Sequence, residues 1–324
     1  MNPMKVIKKI THSFSLDKKI SFQYFSFNAI IELSDKRLAY TRCDCEITII
    51  SIDYANKKAE ISFTKPDAHD DEIEILSAFP NSHLASGSRN GDIKIWKVLD
   101  NSLEQIGHIL GNSVSIRGIF SLSKNKFLST DYDNITHIWE ASPPFEELTE
   151  FKKDYMIFPF FETKEDLLVC GFTDETSVEY LNLVFWNLDT NQFESILNDF
   201  IYVSASPVKI NQQYIAVYRK WKIAIVDYLN YTILKEIDFN TILTQEISGD
   251  DFCMFELFFL EENSFLFKAH KYLYQFHWDK NELKVVFETT IDHDTSQTLK
   301  INDGKNLLGI VEDNKPILVY DIDI

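Results

Sequence analysis

Apolar and polar positions recur along this chain in a fixed order: a short apolar strand, a polar turn, and a second strand closing on an aromatic or apolar residue. The pattern is sharpest in Leu84-Ala85-Ser86-Gly87-Ser88-Arg89-Asn90-Gly91-Asp92-Ile93-Lys94-Ile95-Trp96. It returns in Phe127-Leu128-Ser129-Thr130-Asp131-Tyr132-Asp133-Asn134-Ile135-Thr136-His137-Ile138-Trp139, with the same spacing of twelve from opening apolar residue to Trp. The closing position can be followed through Ile50, Trp96, Trp139, Trp186, Val226, Phe276 and Tyr320, at intervals of 46, 43, 47, 40, 50 and 44. In the sixth repeat Trp278 is an alternative to Phe276. The opening strands begin at Leu38, Leu84, Phe127, Leu168, Ile215, Leu266 and Leu308.

Each repeat carries two further strands. One precedes the hairpin, as in Ile73-Glu74-Ile75-Leu76, and one follows it, as in Leu103-Glu104-Gln105-Ile106-Gly107-His108-Ile109-Leu110. A period of about 40–50 residues with four strands per repeat predicts a β-propeller. The fold class expected is therefore all-β: a seven-bladed β-propeller of four-stranded antiparallel blades, one domain over residues 1–324. The last repeat stops at its third strand. Lys5-Val6-Ile7-Lys8-Lys9-Ile10 is the expected source of the missing one, so that the N-terminal strand closes the ring and protects its open edge.

These repeats resemble the WD40-repeat family over nearly the whole chain, most strongly in the second. In that family a His, a Ser or Thr, an Asp and a Trp form a hydrogen-bonded set inside a blade. The resemblance implies such a set from His69, Ser86 or Ser88, and Trp96, with Asn90 where Asp is usual. The third repeat keeps Asp133 and Trp139 without a matching His, and the others depart further. Aromatic burial is expected to hold those blades instead.

Composition narrows the functional classes. The 324 residues carry a formal net charge of −18, which argues against general nucleic-acid binding. Cys43 and Cys45 lack the partners of a zinc motif, and Cys170 and Cys253 read as packed thiols in apolar strands. No segment has the length of a signal-peptide core or a membrane helix. A cytoplasmic or nuclear protein without a membrane partner is expected.

Catalytic motifs are missing from the sequence. There is no phosphate-binding glycine loop, nucleophile elbow or zinc helix. The eight histidines are scattered, and adjacent carboxylates such as Asp70-Asp71 and Glu261-Glu262 would point to opposite faces of a strand. No catalytic residue, metal site or cofactor is expected. Asn230-Tyr231-Thr232 matches a glycosylation acceptor pattern, without the secretory signal that would give it meaning.

The hairpin turns and the loops entering the inner strands share one face in a WD40-like ring. The turns place Arg42, Arg89, Arg219-Lys220-Trp221 and His270-Lys271 there, a basic arc over blades five, six, one and two. Blade three offers Asp131 and Asp133, and blade four the acidic loop Thr173–Glu179. Tyr218, Arg219 and Trp221 are residue types enriched at binding hot spots. The expected partner-binding residues are thus Arg42, Arg89, Tyr218, Arg219, Lys220, Trp221, His270 and Lys271.

The WD40 resemblance implies a non-enzymatic scaffold that binds protein or peptide partners through its hairpin-turn face, and the basic arc points to acidic or phosphorylated ones among them. The alternatives are an enzyme with a loop-built site near the central channel, or a dedicated reader of phosphorylated or acidic peptides.

Overall fold

The computed structural model describes residues 10–15, 30–41, 44–110, 114–164, 166–173, 180–202, 207–219, 222–238, 257–261, 264–269, 272–278, 280, 282–288, 297–301, 306–310 and 318–322. They form 28 strands in seven four-stranded sheets. The first strand, β1 (Ile10–Ser15), belongs to the last sheet. Sheet one is β2 (Ile30–Glu32), β3 (Leu38–Tyr40), β4 (Ile47–Asp53) and β5 (Lys58–Lys65). Sheet two is β6 (Ile73–Phe79), β7 (His83–Ser88), β8 (Ile93–Val98) and β9 (Leu103–Ile109). Sheet three is β10 (Ile116–Leu122), β11 (Lys126–Asp131), β12 (Ile135–Glu140) and β13 (Glu147–Lys152).

Sheet four is β14 (Met156–Lys164), β15 (Leu167–Thr173), β16 (Tyr180–Asn187) and β17 (Gln192–Tyr202). Sheet five is β18 (Val208–Lys209), β19 (Tyr214–Arg219), β20 (Lys222–Asp227) and β21 (Thr232–Asp238). Sheet six is β22 (Leu257–Glu261), β23 (Ser264–Ala269), β24 (Tyr272–His277) and β25 (Glu282–Glu288). Sheet seven joins β26 (Gln297–Ile301), β27 (Asn306–Ile310) and β28 (Leu318–Ile322) to β1, in the order β1-β28-β27-β26.

The N-terminal strand does pair with the last one, but it is Ile10–Ser15 that does so. The expected segment Lys5–Ile10 lies outside the described residues except at Ile10. In sheet six, Phe276 faces Phe265 across the β23–β24 ladder and is 1% exposed. Phe276 is thus the closing residue and Trp278 falls beyond the strand. The register also places Phe265, not Leu266, opposite it.

The chain divides into two compact units. One comprises Tyr155–Asp294 with Met1–Thr11 and Asp321–Ile324; the other comprises His12–Asp154 with Thr295–Tyr320. In the second, successive side chains of β7 and β8 enter different cores. Leu84 and Trp96 pack with Ile47, Ile49 and Ala39 of sheet one. Ala85, Ile93 and Ile95 pack with Ile116, Ile119 and Phe127 of sheet three. Middle strands are therefore covered on both sides and read as continuous apolar runs, whereas β13 is exposed at every position except Phe151. In the first unit, Leu167, Val169 and Phe185 of sheet four meet Ile215, Val217 and Val226 of sheet five.

A β-bulge recurs just before the closing position. It lies between Ile49 and Ile50, Ile95 and Trp96, Ile138 and Trp139, Phe185 and Trp186, and Ile225 and Val226. Each inserts one extra residue in the outer strand, which bends that strand and re-aims its side chains.

Candidate functional site

The best-formed repeat anchors its own surface loop from within. His69 lies 2% exposed in the connection between β5 and β6, with Nε2 2.7 Å from the Ser86 hydroxyl. The Trp96 indole donates to the same oxygen over 2.8 Å. Ser86, not Ser88, is thus the hydroxyl of the set. Lys94 Nζ donates to the Ala68 carbonyl at 2.9 Å, and Ala68 N donates to Cys45 O at 2.7 Å. These bonds fix the 66–72 connection against both flanking hairpins. Burial first, and the Lys94 charge second, push the His69 imidazole down to about 4, so it is neutral at physiological pH.

The anchored connection presents Glu72 to the β7–β8 turn. There Arg89 N donates to Glu72 O at 2.9 Å, and the Arg89 guanidinium meets the Glu72 carboxylate at 2.9 Å. Both side chains are half exposed or more, so this pair adds little stability. The turn is built by Asn90, whose Oδ1 accepts from Ser88 Oγ at 2.6 Å and Asp92 N at 3.1 Å. Gly91 follows at φ 91°, a backbone region that suits glycine. Asn90 therefore serves the turn, while His69 Nδ1 has no hydrogen-bond partner.

The corresponding turn of sheet three differs. Asp131 is 4% exposed and points inward, its Oδ1 accepting from Asp133 N at 3.0 Å and Ile135 N at 2.9 Å. Its carboxylate is spent on the turn, which corrects the expectation of an acidic surface at Asp131. Between the two aspartates Tyr132 stands 58% exposed. Its ring centroid lies 5.0 Å from the Arg117 guanidinium carbon. Arg117 in turn donates to Asp131 O and, at 3.1 Å, to Asn134 Oδ1. Burial lowers the Arg117 pKa from its ordinary value, against the opposing pull of Tyr132 and Asp131. A solvent-facing aromatic ring clamped over a cation held by backbone oxygen is a rigid contact platform. The sequence reading passed over Tyr132; an aromatic residue between two turn aspartates was the available signal.

Of the eight expected binding residues, Arg42, Lys220, Trp221, His270 and Lys271 lie outside the described residues. So do the acidic residues of the blade-four loop, from Asp174 to Glu179. Arg219 closes β19 opposite Lys222 of β20. Tyr218 is 4% exposed; it sits in the ladder opposite Ile223. Its ring is packed away, which removes it as a surface anchor. Arg89 is exposed as expected, though paired with Glu72.

The most shifted groups owe their shifts to burial. His69 is one, and Cys170, fully covered in β15, has its thiol pushed up by desolvation alone. One trio among the described residues brings His and carboxylate atoms within 4.8 Å of one another: His137, Glu147 and Glu150 on the flank of sheet three.

No sequence-family model matches the chain, and no curated protein matches it. Solved structures do. Sqt1 of Saccharomyces cerevisiae is 12% identical with a TM-score of 0.63, covering 90% of this chain and 83% of that one. A chain of the mitotic checkpoint complex is 9% identical with a TM-score of 0.70, covering 99% and 94%. These likenesses support a β-propeller fold of the WD40 type for this chain. At such identities the likeness is one of fold. Among the described residues no helix is long and apolar enough to cross a membrane.

Proposed function

We propose that residues 1–324 form a single propeller domain acting as a non-enzymatic scaffold, which binds protein or peptide partners through its hairpin-turn face. The observation that carries this reading is Tyr132, exposed and held over the Arg117 guanidinium. Tyr and Arg at a rigid, solvent-facing position are the side chains that dominate protein interfaces. Arg89 adds a cation on the corresponding turn of the next sheet. Arg42, Arg219, Lys220, Trp221, His270 and Lys271 extend the surface on sequence grounds. A face bearing cations on a chain of net charge −18 favours acidic or phosphorylated partners, because guanidinium groups take carboxylate or phosphate in paired hydrogen bonds. A cytoplasmic or nuclear setting fits such a scaffold.

The test is affinity capture with mass spectrometry using wild type, Tyr132→Ala and an Arg219→Glu/Trp221→Ala double variant. Partners bound through the turn face should fall away from one or both variants while the melting temperature holds. Raised salt should weaken the same partners, since exposed charges are screened over about 8–10 Å. A partner set indifferent to both variants and to salt would overturn the reading.

A further inference from the structure

We propose that His137, Glu147 and Glu150 form a site for one divalent cation of the zinc type, held by one imidazole nitrogen and two carboxylates. The three come from adjacent strands. His137 on β12 lies directly opposite Glu150 on β13. Glu147 and Glu150 are three residues apart, and a regular strand would send them to opposite faces. The bulge prevents this: Ile138 faces Thr149 and Trp139 faces Glu147, so Leu148 is the inserted residue. The insertion restores Glu147 to the face shared by His137 and Glu150. His137 Nδ1 then lies 2.9 Å from Glu147 Oε1 and 4.0 Å from Glu150 Oε2.

This geometry suits a metal. Tetrahedral zinc takes His nitrogen and carboxylate oxygen at about 2.0–2.2 Å, which spaces neighbouring ligand atoms a little over 3 Å apart. Two carboxylates balance the charge of a dication, and a neutral imidazole completes a three-residue set with a fourth position open. The ligands line a cavity of about 230 Å³ that Ile93, Ile109 and Leu110 also line. His137 is 8% exposed and its ring lies 5.3 Å from the ring of Trp139. Its nitrogen is therefore fixed by packing, while the two half-exposed glutamates can adjust around an arriving ion.

The other sheets provide an internal comparison. The same register and bulge create an equivalent trio in each: Thr48, Ile61 and Thr64; Lys94, Gln105 and His108; Val184, Phe193 and Ile196; Ala224, Ile233 and Glu236. None of these offers three metal-binding side chains. The bulge makes the same positions in these four sheets, and of the five compared sheet three fills them with a ligand set. No metal motif is visible in the sequence because strand register, not sequence spacing, brings the histidine and the two glutamates together.

The experiment is calorimetric titration of the full-length protein with zinc chloride, with Trp fluorescence as a second readout. Wild type should take up one equivalent that Glu147→Gln, Glu150→Gln and His137→Gln each weaken by about tenfold or more. Glu147→Gln and Glu150→Gln preserve size at half-exposed positions, and their unchanged melting temperatures verify the fold. Glu104→Gln, on the outer strand of sheet two, should bind like wild type. Absence of saturable zinc uptake would overturn the proposal. So would uptake that all three ligand variants leave unchanged, which would place the ion elsewhere on the chain.

Discussion

The indole nitrogen of Trp96 and the hydroxyl of Ser86 meet at 2.8 Å in a fully buried position, and the same two positions can be followed through the other sheets. Trp139 donates to Ser129 at 2.9 Å. In sheet four the hydroxyl position is Cys170, and Trp186 turns to Asn191 Oδ1 at 3.2 Å instead. In sheet five both positions are valine, Val217 and Val226, each 0% exposed. A buried polar set can be replaced by an apolar pair without leaving any group unsatisfied, whereas half a set cannot.

Ser86→Ala should therefore cost more than Ser129→Ala. The first strands two buried groups, His69 Nε2 and Trp96 Nε1, at about 2–4 kcal/mol together. The second strands one partly buried indole, at about 1 kcal/mol. Urea denaturation of the two variants against wild type measures the difference. Equal costs would contradict the shared-acceptor geometry.

His69 should make stability fall on the acid side. Its pKa drops from about 6.5 unfolded to about 4 folded, so the unfolded state binds the proton first. The stabilisation is complete above pH 6.5 and lost progressively as pH falls toward 4. The full shift corresponds to about 3 kcal/mol. In pH-resolved unfolding, wild type should lose up to this much more than His69→Gln across the window. Parallel curves would show that His69 does not carry the linkage.

Trp96→Ala should cost about 3–5 kcal/mol, because it empties a large volume in the core shared by sheets one and two. Tyr132→Ala should change stability by less than about 0.5 kcal/mol, as expected for an exposed position. Thermal melts of the two variants separate a core aromatic residue from a contact residue.

Gly107→Val should destabilise by about 1–3 kcal/mol or more. A Cβ at Gly107 would sit 2.5 Å from Phe145 Cε2, a buried ring that packs between sheets two and three. A melting temperature equal to wild type would mean that Phe145 can move aside.

Removing residues 1–15 should expose the edge of β28 and lower the melting temperature by several degrees or cause aggregation. Removing only residues 1–9 leaves β1 in place and should do neither. If the short truncation is as damaging as the long one, the stabilising contact lies before Ile10.

The sequence makes the sheets legible and the surface much less so. The repeated strand–turn–strand pattern and the Trp96-type closing residue reveal the hairpins, because middle strands such as β7 and β8 are covered on both sides. The strand that pairs with β28 is described over Ile10–Ser15, which the expected Lys5–Ile10 meets at Ile10. The fate of a turn residue depends on which way its side chain points. Asp131 and Tyr132 are neighbours, yet one is buried as a turn acceptor and the other exposed. Tyr218 read as a hot-spot residue because it adjoins Arg219, and the ladder places it in the packed part of the hairpin. The His137, Glu147 and Glu150 trio was invisible because a one-residue insertion at Leu148 decides which side chains share a face.

That insertion gives the architecture a reusable socket. Because the bulge precedes the closing residue in five sheets, each presents one middle-strand and two outer-strand side chains toward a common point, whatever those side chains are. Substituting three residues, such as Thr48, Ile61 and Thr64, would install a new constellation without altering a turn. A chain built this way can gain or lose a chemical site blade by blade, and natural variation or deliberate grafting could use the same three addresses.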